Sequence, residues 1–182
     1  MKTYRYEPEE YSLRDGRTVI LRTPKISDLN DLLKYINSLV DEDAMILLDK
    51  KMNKKDEKKW LMNEIKTIKE GPLITFVAEI DYHAIGMVNL SIGKYKESHL
   101  GTIGMGIVNG YRDLGLGRIM LNKIIKEAKK RKLKLLHIAA FSKNHRALHL
   151  YRSIGFKDVG IFPKRIRYKN GYDDEVIMFM KL

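Results

Sequence analysis

The stretch Ile107-Val-Asn-Gly-Tyr-Arg-Asp-Leu-Gly-Leu-Gly-Arg118 decides how the rest of this chain is read. It follows a strand-like run, residues 99–108, and leads from Arg112 into a helical pattern with Leu121, Ile124, Ile125 and Ala128 along one face and Lys123, Lys126, Lys129 and Lys130 mostly facing water. Glycine is thus concentrated at a strand-to-helix junction. The first turn of a helix has unpaired N–H groups and the positive end of the dipole, so phosphate can settle there if no side chain obstructs it. Gly115 and Gly117 remove that obstruction, although a tight turn at a close packing point would need them too. Spacing separates the phosphate-loop patterns. The dinucleotide fingerprint G-x-G-x-x-G, begun at Gly104-Met-Gly106, requires a glycine where Asn109 stands. The pattern G-x-x-x-x-G-K-[ST], begun at Gly110 and Gly115, has Leu116 and Gly117 in place of its lysine and hydroxyl. The pattern that fits is R-x-x-G-x-G, as Arg112-Asp-Leu-Gly115-Leu-Gly117.

Upstream, residues 18–23 read as a β-branched strand between Asp15-Gly16 and Pro24. A helix is expected from an N-cap at Ser27, with Leu29, Leu32, Leu33 and Ile36 on one face. A second helix carries Leu61, Ile65 and Ile68 and ends at Gly71-Pro72. Residues 73–80 and 84–92 form a hairpin across Asp81-Tyr-His83. Downstream come a strand at 135–141, a helix at 144–154 and a strand at 156–162. Asn170-Gly171 signals a turn before a last strand at 176–180. The order is β-α-α-β-β-β-α-β-α-β-β. Hairpins demand antiparallel pairs and the unit 99–141 demands a parallel crossover, so the sheet is mixed. Its ligand belongs beyond the carboxyl ends of the strands feeding that crossover, around residues 107–118.

A second block follows the strand at 135–141: Asn144-His-Arg-Ala147-Leu-His-Leu150-Tyr151-Arg-Ser-Ile-Gly155-Phe156. With both blocks, the chain resembles the GNAT superfamily of acetyl-CoA-dependent N-acetyltransferases over roughly residues 12–182. His99, three residues before Thr102, also matches, as does the closing segment Asn170-Gly-Tyr-Asp-Asp-Glu-Val-Ile-Met178. The resemblance implies an α/β (α+β) fold with one GNAT-like domain over 1–182, residues 1–11 being an N-terminal extension. Its mixed, mostly antiparallel sheet would have about seven strands and be flanked by about four helices. Acetyl-CoA would be the co-substrate, held by Met105, Gly106, Ile107, Arg112, Asp113, Leu114, Gly115, Leu116, Gly117, Arg118 and Asn144. By the family pattern, the backbone of residues 105–107 pairs with the pantetheine arm like an added strand, and an N–H there polarises the thioester carbonyl. Tyr151 occupies the position of the acid that protonates the leaving thiolate, and Asn144 would bond the pantetheine or fix the strand–helix junction. A metal is not implied. His145 and His149 share a helix face, but the position after His145 is Arg146, a cation where the metalloprotease pattern has glutamate.

Composition bounds the chemistry. The chain has 182 residues, 35 Lys+Arg against 23 Asp+Glu for a net charge of +12, and no cysteine. Thiolate catalysis, disulfides and thiolate metal sites are therefore excluded. Without cysteine, a span-length apolar run or a signal-peptide core in residues 1–10, the expectation is a cytoplasmic protein with no membrane partner. The positive balance suits a polyanionic ligand. It would also suit a basic nucleic-acid-binding module centred on residues 126–134, but that reading gives no reason for the spacing of Arg112, Gly115, Gly117, Asn144 and Tyr151. A GNAT fold that binds acyl-CoA without catalysis is a further alternative.

The general base is the gap in the pattern. Many family members have a glutamate where this chain has Thr102. Glu79 and His99 are the side-chain candidates, and water-assisted deprotonation is the expectation. The acceptor that the resemblance implies is a primary amine: a small amine or polyamine, or a protein N-terminus. Its pocket is expected between residues 37–60 and 167–174. Polyamines would require Asp41, Glu42, Asp43, Asp173 and Asp174 to gather into an acidic patch. Homodimers are common in the family, so a homodimer is also an expectation, with no residue identifying its interface.

Overall fold

The computed structural model describes residue 4, residues 6–168 and residues 171–182. In chain order the elements are β1 (Glu9–Ser12), β2 (Thr18–Arg22), α1 (Leu29–Asp41), α2 (Lys54–Glu70), β3 (Leu73–Ile80), β4 (His83–Ile92) and β5 (Leu100–Ile107). Then follow α3 (Leu116–Lys130), β6 (Leu135–Phe141), α4 (His145–Ile154), β7 (Lys157–Tyr168) and β8 (Gly171–Lys181). The strands form one sheet in the order β1-β2-β3-β4-β5-β6-β8-β7. Among the described residues every adjacent pair is antiparallel except β5–β6.

Strand β3 shows why helices cover both faces of this sheet. Every residue of Leu73–Ile80 is buried, because alternate side chains enter different cores. Ile74, Phe76 and Ala78 belong to a cluster with Leu116, Met120, Leu121 and Ile124 of α3. Val77 points the other way, toward Leu32, Tyr35 and Leu39 of α1 and Leu61 of α2. Helix α2 begins where the Asn53 side chain accepts from the Asp56 N–H at 3.0 Å, and ends at Gly71, whose φ is +105°.

Four features differ from the sequence reading. The sheet has eight strands, the added one being β1, which incorporates residues 9–11 of the expected extension. Its sequence, Glu-Glu-Tyr-Ser, lacks an apolar alternation. What holds it is remote: Glu9 pairs with Lys123 of α3 at 2.7 Å, and Lys123 is itself buried rather than facing water. Helix α3 starts at Leu116, not Arg112, because Asp113 and Gly115 adopt left-handed φ values of +65° and +88°. The N-cap position of helix α1 is Asp28 rather than Ser27; its side chain makes no capping bond to α1 and instead accepts from Lys25 N at 2.7 Å, closing the single 3-10 turn that leads into the helix. Strand β7 runs on to Tyr168, because a register shift between Phe162 and Ile166 absorbs Pro163 and pairing resumes at Ile166↔Asp173. Of the expected Asn170-Gly171 turn, Asn170 lies outside the described residues.

Candidate active site

Strand β5 stays paired with β4 as far as Ile107↔Gly86. Its parallel pairing with β6 stops at Ile103↔Ile138. Beyond that point β6 keeps only its other neighbour, from Ala139↔Ile177 to Phe141↔Glu175 of β8. The two central strands therefore part, and residues 104–107 present one backbone edge without a strand partner. A cavity of about 630 Å³ lies at this fork.

The carboxyl end of β5 feeds the glycine-rich turn, which sets the chemistry of the cavity's rim. Gly115 is the N-cap of α3 and brings no side-chain hydrogen bond, so the first N–H groups of the helix are left uncapped. Of the expected cofactor-binding residues, Met105, Gly106, Ile107, Arg112, Asp113, Gly115, Gly117, Arg118 and Asn144 line the cavity. Leu114 and Leu116 do not, and the Leu116 side chain is buried in the core. Gly117 also serves packing: a Cβ there would stand 2.8 Å from Leu150 Cδ2.

Arg112 has a partner that local sequence cannot show. Its Nε donates to the Ile107 carbonyl at 2.8 Å and its Nη2 pairs with Glu42, just past the end of α1. The second Glu42 oxygen accepts from the Asn109 N–H at 3.1 Å. Arg112 and Glu42 thus form a strut that fastens the glycine-rich turn to α1. Of the other cations on the rim, Arg146 pairs with Asp113 at 3.0 Å and Arg118 donates to Ser153 Oγ at 2.7 Å. Arg14 and Lys143 also line the cavity and have no carboxylate partner among the described residues.

Helix α4 forms the far wall. Asn144 caps it, its side-chain oxygen accepting from Ala147 N–H at 3.1 Å, while its amide nitrogen has no protein partner among the described residues. One turn on, Tyr151 lines the cavity with only 5% of its surface exposed. Burial pushes its hydroxyl up to about 12, so it stays protonated at neutral pH. His145 and His149 lie on the same wall.

Neither side-chain candidate for the base lines the cavity. Glu79 is one of two acids in a three-residue cluster, pairing with Arg22, which also holds Asp28 at 2.7 Å. His99 is exposed in the turn before β5, at the opposite end of that strand from Ile107. Thr102, in the glutamate position, is exposed on β5.

A second cavity, of about 1000 Å³, adjoins the first, sharing Asp43, Ala44 and Ile46 with it. It lies between the loop after α1 and the β7–β8 hairpin, and Tyr168 Oη bridges the two by donating to the Asp43 carbonyl at 3.3 Å. Four of the five acidic residues have partners of their own. Asp41 pairs with Lys51 at 2.8 Å, Glu42 with Arg112, Asp173 accepts from Ser142 Oγ at 2.7 Å, and Asp174 accepts from Lys164 N–H at 2.7 Å. Of them, only Asp43 lines the second cavity, together with Asp49, Arg165 and Arg167.

A mixed sheet that forks beside a glycine-capped helix is built to take an extended arm between its strands and an anion at the helix end. The chain belongs to the Acetyltransferase (GNAT) family, whose model matches residues 38–156. Solved structures share the fold. The ribosomal-protein-S5-alanine acetyltransferase from Vibrio fischeri superposes with a TM-score of 0.84 at 19% identity, covering 97% of each chain. The ribosomal-protein-alanine N-acetyltransferase from Brucella melitensis gives 0.78 at 22% identity, over 89% of this chain and 99% of that one. The microcin C7 self-immunity acetyltransferase MccE, in complex with acetyl-CoA and AMP, gives 0.77 at 16% identity, over 90% and 92%.

Proposed function

We propose that this protein transfers the acetyl group of acetyl-CoA to a primary amine. The observation that carries the reading is the fork: β5 keeps an unpaired edge at residues 104–107, directly upstream of the uncapped N-terminus of α3. The residues present fit the co-substrate. Uncapped amides and the rim cations suit its phosphates, the strand edge suits its amide-bearing arm, and the Asn144 amide nitrogen is free to donate to that arm. When bound, acetyl-CoA supplies a thioester carbonyl open to amine attack and a thiolate leaving group.

The protein's part is to orient these groups and to manage two protons. A backbone N–H of the 104–107 edge stabilises negative charge on the carbonyl oxygen. Tyr151 lines the cavity with its hydroxyl protonated. With the hydroxyl at about 12 and a thiol near 8.5, complete transfer of its proton is uphill by roughly 3.5 pKa units. Tyr151 therefore works chiefly by donating a hydrogen bond to the sulfur as charge develops; the proton follows as the thiol departs, and water at once returns one to the tyrosinate. The incoming amine loses its proton to water, since neither Glu79 nor His99 reaches the cavity.

That route favours an amine with an appreciable neutral fraction. An α-amino group near 8 meets the requirement far better than a lysine-type amine near 10.4. Asp41 and Glu42 are each matched by a cation of their own, which leaves less negative charge for a polyamine. A protein or peptide N-terminus is therefore the preferred acceptor, entering through the second cavity; two of the structural relatives act on ribosomal-protein alanine.

The test is release of free CoA in the presence of acetyl-CoA and a panel of amines: short peptides with free N-termini, the same peptides blocked but carrying lysine, and spermidine. Turnover with unblocked peptides, rising with pH toward 8, is expected. Binding of acetyl-CoA with no transfer to any amine would assign the protein to the non-catalytic acyl-CoA-binding class.

A further inference from the structure

The cation that the sequence motif offers to the phosphates is not free to take them. Arg112 is held by the Ile107 carbonyl and by Glu42, whose carboxylate cancels its charge, and Arg146 is matched by Asp113. Arg118 keeps its charge, but its fork is turned toward Ser153 on α4. That leaves Arg14 and Lys143 as the rim cations without a carboxylate or hydroxyl partner among the described residues, and of the two only Arg14 lies within 4 Å of the point where a Cβ on Gly115, the cap of α3, would stand.

Resting on the acetyl-CoA reading above, we propose that Arg14, in the turn between β1 and β2, is the cation that binds the pyrophosphate against the N-terminus of α3. Three observations place it there. Arg14 lines the cavity and has no carboxylate partner among the described residues. Its Cγ and Nε lie 3.7 and 3.8 Å from the point where a Cβ on Gly115 would stand, so its stem crosses the helix cap that has no side chain of its own. Its backbone N–H donates to the Leu114 carbonyl at 3.1 Å, which ties the β1–β2 turn to the glycine-rich turn and fixes the root of the side chain. The guanidinium is exposed and carries a planar fork of donors matched to phosphate oxygens. Arg14 lies upstream of the region 38–156 that the family model matches. On this account the turn between the first two strands supplies charge that the motif arginine has given up to the strut.

The assignment is tested by calorimetric binding of CoA and dephospho-CoA to wild type and to Arg14→Gln, which keeps the aliphatic stem over Gly115. Pantetheine, which has no phosphate, is read by its shift of the unfolding midpoint at millimolar concentration. The unliganded variant should melt within a few degrees of wild type, because Arg14 is exposed and its backbone bond remains. The expected result is a dissociation constant about tenfold higher for both CoA and dephospho-CoA, with the pantetheine response unchanged. Equal CoA affinity in the two proteins would overturn the assignment. So would a loss that vanishes with dephospho-CoA, which would move Arg14 to the 3′-phosphate, or a parallel loss with pantetheine, which would make its role structural. A wild type that binds no CoA at all would instead refute the acetyl-CoA reading itself.

Discussion

Tyr151 is the residue on which the chemistry is most exposed to test. Burial raises its hydroxyl to about 12, so the protonated form needed for donation persists as pH rises and is lost only on passing through that value. The pH–rate profile should therefore climb with the free-amine fraction and show no falling limb attributable to this group below pH 10. Tyr151→Phe should lower kcat about a hundredfold and leave CoA affinity in place, since it removes one donor and little packing. Unchanged kcat would remove Tyr151 from the mechanism. Individual roles were only partly legible at this scale. The spacing of Asn144, Ala147 and Tyr151 placed all three on one wall, and Asn144 fixes the strand–helix junction by capping α4. Arg112 was legible as a motif position, but its restraint by Glu42 was not, because the partner lies 70 residues upstream and meets it only after folding. Arg14 carried no signal either: its turn was marked by Asp15-Gly16, and nothing local says what that turn faces.

Elements with their own periodicity or punctuation could be read directly, and those held by remote contacts could not. Helix α4 starts at an Asn cap and ends at Gly155 with φ +114°, both written in the sequence. Asn144→Ala should cost about 1 kcal/mol by leaving the Ala147 N–H without its acceptor, seen as a midpoint lower by roughly 2–4 °C. Strand β1 is the opposite case. Its anchor is Glu9, whose carboxyl is held down at about 2 by hydrogen bonds from Lys123 and then Tyr11. A carboxyl lowered on folding stabilises the protein above its unfolded value near 4.5, and that contribution fades as pH falls from about 4.5 toward 2. Glu9→Gln should destabilise by about 1–2 kcal/mol at pH 7, since Lys123 keeps Glu127 at 3.1 Å and Glu9 is partly solvated. In urea titrations the gap between the two proteins should narrow to a fraction of its pH 7 size by pH 2.5 and close only below pH 2. A gap that keeps its full size at pH 2.5 would mean that the stabilisation comes from β1 pairing and not from the charge.

Across the whole molecule, the parallel β5–β6 pair organises both the fold and the proposed function. An all-antiparallel sheet would have no crossover helix and no helix N-terminus at the end of β5. Because the crossover exists, the strands part above Ile103, α3 presents its amides to the gap, and α4 brings Asn144 and Tyr151 to the other wall. The order of elements implied this arrangement, since strand–helix–strand spacing around residues 99–141 demanded one parallel pair. The separation of the strands was available only from the family resemblance, because no residue type announces where a ladder stops. No helix among the described residues is long and apolar enough to cross a membrane. The most direct test of the central claim is the thermal unfolding midpoint of the wild-type protein with and without acetyl-CoA. At about 100 times its dissociation constant, a ligand bound only by the folded state adds roughly 2.7 kcal/mol, which for a chain of this size is a rise of roughly 5–11 °C. A rise of that order is the predicted result, and an unchanged midpoint at saturating acetyl-CoA would contradict the account.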